Sequence, residues 1–71
     1  MTLTKQDYGS QNGDGGFFVF KDEKYLFGKS VFDDHDFDYF INEIKRFNRY
    51  DTNLLTKEEI EQIKKWINFE E

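Results

Sequence analysis

Phe17-Phe18-Val19-Phe20-Lys21-Asp22-Glu23-Lys24-Tyr25-Leu26-Phe27-Gly28 is the stretch that decides how this chain folds. Two aromatic and β-branched runs, 17–20 and 24–27, flank a charged triplet, the pattern of a β-hairpin. Neither Asn-Gly nor Asp-Gly stands at the turn, so a loop of three to five residues built on a type I turn is expected. Gly28 is expected to end the second strand or to open a bulge. Strand side chains alternate, which puts Phe17 and Val19 on one face and Phe18 and Phe20 on the other. By the same rule Tyr25 and Phe27 oppose Leu26. The hairpin is apolar on both faces, and a pair of helices covers only one.

Downstream, Phe37, Phe40, Ile41, Ile44 and Phe47 recur at helical spacing and form one apolar stripe. Asp33 or Asp34 is placed to cap this helix, with Asp36 and Asp38 in its first turn and Lys45, Arg46 and Arg49 in its last turns. A second helix starts at a capping box, Thr56 with Glu59, and Leu55 and Ile60 occupy the positions of a hydrophobic staple. Ile60, Ile63 and Ile67 form its inner stripe, with Trp66 at the margin. Asp51-Thr52-Asn53 is a turn short enough to make the two helices antiparallel neighbours.

Upstream, residues 9–16 hold four of the five glycines. Glycine is entropically costly to order, so residues 1–16 read as a flexible leader or long loop, with a short edge strand at Thr2-Leu3-Thr4 as the alternative. The expected fold is α+β. A small β-hairpin, or a three-stranded sheet if the N-terminal segment joins it, packs on two antiparallel helices in the order β-β-α-α, with 17–71 as one compact domain.

Composition narrows the function classes. The chain has 71 residues with no cysteine, which removes disulfides, thiolate metal sites and cysteine nucleophiles. Nine Phe, four Tyr and one Trp supply the burial that a chain this short needs. A net charge of −5 argues against direct binding of nucleic acid or of an anionic membrane. No apolar run approaches the ~18 residues of a membrane span, and the expected setting is cytoplasmic.

Four motifs suggest chemistry and then fail on position. Gly28-Lys29-Ser30 resembles the end of a phosphate loop, but Glu23 stands where that loop needs its first glycine. Ser10-Gln11-Asn12-Gly13-Asp14-Gly15 resembles part of a calcium loop. Its first position is Ser10 instead of Asp, and its twelfth is Lys21 instead of Glu. Asp33-Asp34-His35-Asp36-Phe37-Asp38 is rich in metal ligands, yet consecutive residues entering a helix point about 100° apart and no second His exists. One His and two Ser, neither in an elbow-like setting, make no nucleophile-base pair. No catalytic residue, metal or cofactor is expected.

Two surfaces remain as candidate binding sites. One is the second face of the hairpin, with Phe18 and Phe20, where a contiguous apolar patch marks a partner interface or a homodimer through the hairpin. Its alternative is coverage by the N-terminal segment, by Val31-Phe32 or by Phe69. The other is a ridge on the back of the first helix, Tyr39, Glu43, Arg46 and Tyr50, extended by Asp33, Asp34, Asp36 and Asp38. Tyr and Arg combine rigid area with a polar end.

In size, acidity and aromatic content the chain resembles small acidic inhibitors encoded by phages and mobile elements, anti-CRISPR proteins among them. That resemblance implies a non-enzymatic protein-binding module that inhibits a host defence or nucleic-acid-handling enzyme. Steric occlusion of a basic surface would be the mechanism, with the four aspartates engaging it and Tyr39 and Tyr50 adding area. The alternatives are an immunity or antitoxin protein that neutralises a cognate toxin, and a structural oligomerisation module.

Overall fold

A computed structural model describes residues 3–9 and 15–69. Three strands come first: β1 (Leu3–Tyr8), β2 (Gly16–Lys21) and β3 (Lys24–Ser30). They form one antiparallel sheet in the order β1-β2-β3, and two helices follow, α1 (Phe37–Arg46) and α2 (Lys57–Ile67). The fold is α+β, as the sequence predicts. The chain divides into two compact units, one ending at Asp34 with the sheet and one beginning at His35 with the helices.

Strand pairing reaches further into the N-terminal segment than a short edge strand. β1 pairs with β2 from Leu3↔Lys21 to Tyr8↔Gly16, so residues 3–8 are strand and not a leader. Alternation explains it: Leu3, Lys5 and Asp7 line one face, Thr4, Gln6 and Tyr8 the other, and pairing satisfies the backbone groups along β2. Thr2 and residues 10–14, including most of the calcium-like stretch, lie outside the described residues.

The hairpin turn also differs from expectation. Lys21 pairs with Lys24, which leaves a two-residue loop, Asp22-Glu23, whose φ angles of 52° and 70° are both positive. Positive φ at both central residues belongs to the type I′ turn, whose twist matches that of the strands it joins. Asp tolerates the left-handed region whereas Glu seldom adopts it, so at Glu23 the twist of the flanking strands outweighs local preference.

Gly28 neither ends β3 nor opens its bulge. The strand runs on to Ser30, and the irregularity lies two residues earlier, where Val19 faces Phe27 and Phe20 faces Tyr25. Leu26 is the extra residue. A bulge turns two successive side chains toward the same face, and Leu26 and Phe27 are accordingly both buried while Tyr25 is exposed. Simple alternation puts Tyr25 with Phe27. The buried face of β2 and β3 holds Phe17, Val19, Leu26 and Phe27, with Phe17 and Phe27 in edge contact at 6.4 Å. Two lysines are buried with them, Lys21 and Lys29. The Lys29 ammonium donates to the carbonyls of Ser30 (3.1 Å) and Asp33, tying the end of β3 to the turn that follows.

In the helical unit Phe40, Ile44, Leu55, Ile63 and Ile67 are buried. Lys64, late in α2, lies 5.2 Å from the centre of the Phe37 ring at the start of α1, so the helices run antiparallel. The Thr56–Glu59 capping box is formed: Thr56 Oγ1 accepts from Glu59 N (3.1 Å) and Glu59 Oε1 accepts from Thr56 N (2.9 Å). Between the helices Asp51 caps a 3₁₀ turn, Thr52–Leu54. Three expectations for α1 are corrected. Its cap is Asp36, not Asp33 or Asp34, because the helix begins only at Phe37, and the Asp36 side chain, one residue before it, accepts from Tyr39 N (3.1 Å). Its apolar stripe stops short of Phe47, which is 56% exposed at the C-cap, and Arg49 lies beyond the helix.

Candidate interaction surfaces

The sheet turns one face outward, and register assigns its residues. β1 contributes Thr4, Gln6 and Tyr8; β2 contributes Gly16, Phe18 and Phe20; β3 contributes Tyr25, Gly28 and Ser30. Tyr8, Phe18 and Tyr25 are 40%, 36% and 39% exposed, and Phe20 is half-buried. The rings are contiguous. Tyr8 stacks on Phe18 at 4.8 Å, Phe18 meets Tyr25 edge-on at 6.0 Å, and Tyr25 meets Phe20 at 5.9 Å. Such pairs contribute about 0.5–1.5 kcal/mol each beyond their burial, so the patch also stabilises the hairpin.

Two glycines make the array possible. Phe18 faces Gly28 across the strands, and a Cβ at Gly28 would stand 2.8 Å from the Phe18 ring. Tyr8 faces Gly16, where a Cβ would collide with the Lys29 carbonyl oxygen and would also stand 2.6 Å from the Tyr8 hydroxyl oxygen. Each ring lies over a cross-strand glycine, an arrangement that shields the bare backbone and keeps the aromatic layer low. Gly28 in particular looks like punctuation in the sequence and is a slot in the structure.

Charge separates the two faces of the sheet. The strand residues on the aromatic face are all uncharged. Lys5, Asp7, Lys21, Lys24 and Lys29 fall by register on the opposite face. Val31 and Phe32 remain exposed beyond β3, held by Val31 N to Gly15 O (2.7 Å) and Phe32 N to Ser30 Oγ (3.2 Å). They leave the Phe18 ring accessible.

The predicted ridge on α1 is broken into two ends. At the N-terminal end Asp36 is engaged as the cap, while Asp34 and Asp38 are exposed. Asp33 is half-buried, and its carbonyl accepts from Lys29. Tyr39, 41% exposed, stacks on His35 at 3.7 Å with the rings 12° apart. At the other end the helix stops before Tyr50, because Asn48 takes a φ of 53° and reverses the chain. The spacing that put Tyr50 on the Tyr39 face therefore fails. Glu43 pairs with Arg49 at 3.8 Å, and the Arg46 and Arg49 guanidinium groups lie 5.7 and 4.8 Å from the Phe47 ring centre. Tyr50 borders a shallow hollow of about 350 Å³ with Lys45, Asn48, Asp51, Thr52 and Asn53.

Alternation in the sequence points to Phe18 and Phe20 but not to Tyr8 or Tyr25. Tyr25 was hidden by the bulge. Tyr8 falls in a segment whose glycines suggest a leader, although its uncharged residues Thr4, Gln6 and Tyr8 alternate with the charged Lys5 and Asp7. Among the described residues no group of three or more His, Asp or Glu side chains is placed to hold a metal ion, and no helix is long and apolar enough to cross a membrane. No protein-family model matches the sequence, and no curated protein or solved structure is significantly similar to it.

Proposed function

We propose that this chain is a non-enzymatic protein-binding module that engages its partner through the aromatic face of the sheet. The observation that carries the reading is four contiguous rings, Tyr8, Phe18, Phe20 and Tyr25, on a face without a charged residue. Rings held by strand pairing lose little conformational freedom on binding, and Tyr adds a polar end, the properties of interface hot spots. Platforms that stack single-stranded nucleic acid combine aromatics with a cationic groove. Here the lysines of the strands sit on the other face, which favours a protein surface of apolar and neutral polar groups.

The test is capture of a partner from lysate, followed by affinity measurement with variants that keep β-propensity. Phe18→Thr and Tyr25→Thr should each weaken binding by roughly tenfold or more, while Asp38→Asn and Arg46→Gln leave it unchanged. Circular dichroism and thermal melts confirm that the variants fold. Binding that survives the ring substitutions in a folded protein overturns the assignment.

A second reading is favoured by the net charge of −5 and by exposed Asp34 and Asp38. In it the module is an inhibitor that occludes a basic surface of a host defence or nucleic-acid-handling enzyme. Salt separates the two. Attraction to a basic surface weakens steeply as ionic strength rises, whereas docking on the neutral aromatic face is nearly indifferent to it.

A further inference from the structure

We propose that the outer edge of β1 is a self-association surface on which a second copy of the chain pairs antiparallel, centred on Gln6, to form a continuous six-stranded sheet. The inference is independent of which partner the aromatic face takes. β1 is an edge strand whose only pairing among the described residues is with β2, and Thr4 through Tyr8 are all exposed. An open edge presents a row of backbone donors and acceptors that another strand can complete. Edge strands usually carry a charge that forbids this. β1 carries two, Lys5 and Asp7, of opposite sign and two residues apart.

Symmetry turns that spacing into a register. Two copies paired antiparallel are related by an axis perpendicular to the sheet, and facing residues must point to the same side. One residue of β1 then has to face itself. Centred on Lys5, two ammonium groups face each other; centred on Asp7, two carboxylates do. Centred on Thr4, the overlap shortens and Lys5 faces Leu3. Centred on Gln6, Lys5 of each copy faces Asp7 of the other, and Thr4 faces Tyr8. The side chains of Lys5 and Asp7 already approach within 3.5 Å along the strand, so the pairing completes an alternating four-charge cluster. Opposite charges directly across strands are favourable and like charges are not. The pattern that looks like edge protection admits one register and rejects its neighbours. In that register both aromatic faces lie on the same side of the joined sheet.

The primary experiment is light scattering on the purified chain over a dilution series up to millimolar protein. A concentration-dependent dimer is expected, because one strand pair buries less than a permanent interface requires. Asp7→Lys and Lys5→Asp, each alone, should weaken self-association roughly tenfold or more, since both cross-strand pairs become repulsive. An equimolar mixture of the two variants should dimerise again, as should the double swap K5D/D7K. The chain has no cysteine, so Gln6→Cys introduces a unique thiol. Facing residues in an antiparallel pair stand about 4.5–5.5 Å apart at Cα, within disulfide reach. Mild oxidation should therefore cross-link Gln6→Cys with itself and leave Glu58→Cys on α2 largely monomeric. A chain that stays monomeric at every concentration overturns the proposal. So does a dimer that ignores the charge variants or cross-links equally at both positions.

Discussion

The helical unit and the sheet unit are built from equally apolar segments, yet they specify themselves by different means. In α1 and α2 the information is local. Thr56 and Glu59 satisfy each other's backbone within one turn, Asp36 caps Tyr39 three residues away, and a single stripe faces inward. In the sheet the decisive partners are distant in sequence. Phe18 fits over Gly28, Tyr8 over Gly16, and the extra residue Leu26 decides which side Phe27 takes. A helix of this kind is largely encoded by its own residues, whereas a strand is encoded by its neighbours.

The comparison has consequences of different size. In the helices, stability should reside in the stripe and little in the rest. Ile63→Ala, at a fully buried position, should cost about 2–5 kcal/mol, while the exposed neighbour Lys65→Ala should fall within about 0.5 kcal/mol of wild type. Urea midpoints measure both. Equal effects at the two positions would mean that the stripe is not where the helical unit holds together.

In the sheet, stability should depend on a fit that only a pair of residues reveals. Gly28→Ala should cost about 1–3 kcal/mol, because the new methyl forces the Phe18 ring out of its slot. The same change normally favours a strand, since glycine is the more costly residue to order. In a Phe18→Ala background Gly28→Ala should therefore become neutral or stabilising. The double-mutant cycle isolates that coupling. Additive effects would show that Gly28 serves backbone conformation and not the ring.

Loss of the capping box tests the local side of the contrast. Thr56→Ala should cost about 1 kcal/mol by removing the acceptor for Glu59 N. Peptide-level helicity should fall in a fragment containing residues 52–71 as it does in the whole chain, because the motif needs no tertiary partner. A loss confined to the whole chain would place the value of Thr56 in packing.

The same division explains what the sequence makes legible. The helices, their apolar stripes and the capping box follow from spacing within a few residues. The α+β layout follows from the hairpin runs flanked by turn residues. Gly28 could not be placed, because a strand terminator and a cross-strand slot look alike until the partner ring is known. Alternation puts Tyr25 and Phe27 on one face, because a bulge leaves no signature in composition. Tyr50 fell off the helical ridge because Asn48 ends α1, and Asn tolerates positive φ without announcing it. For the candidate site, two of four rings were legible from alternation. The other two needed register.

The hairpin turn is where the two kinds of code conflict, and relieving that conflict is the finest test. Asp22 and Glu23 hold φ of 52° and 70°, a region in which a side chain crowds the backbone. Asn-Gly is the pair that local preference selects for such a turn. If the register of β2 and β3 imposes the turn, Asp22→Asn with Glu23→Gly should leave the bulge and the ring contacts intact. It should raise stability by about 0.5–1 kcal/mol, the relief of strain being partly offset by the greater freedom of glycine in the unfolded chain. If the turn imposes the register, the stronger type I′ former should instead sharpen pairing next to it, at Lys21 and Lys24, and leave the distant Gly16–Ser30 pair unaffected. Amide hydrogen exchange along β3 separates the cases. Uniform added protection from Lys24 to Ser30 marks a sheet that dictates its turn, and protection that fades beyond Leu26 marks a turn that acts only locally.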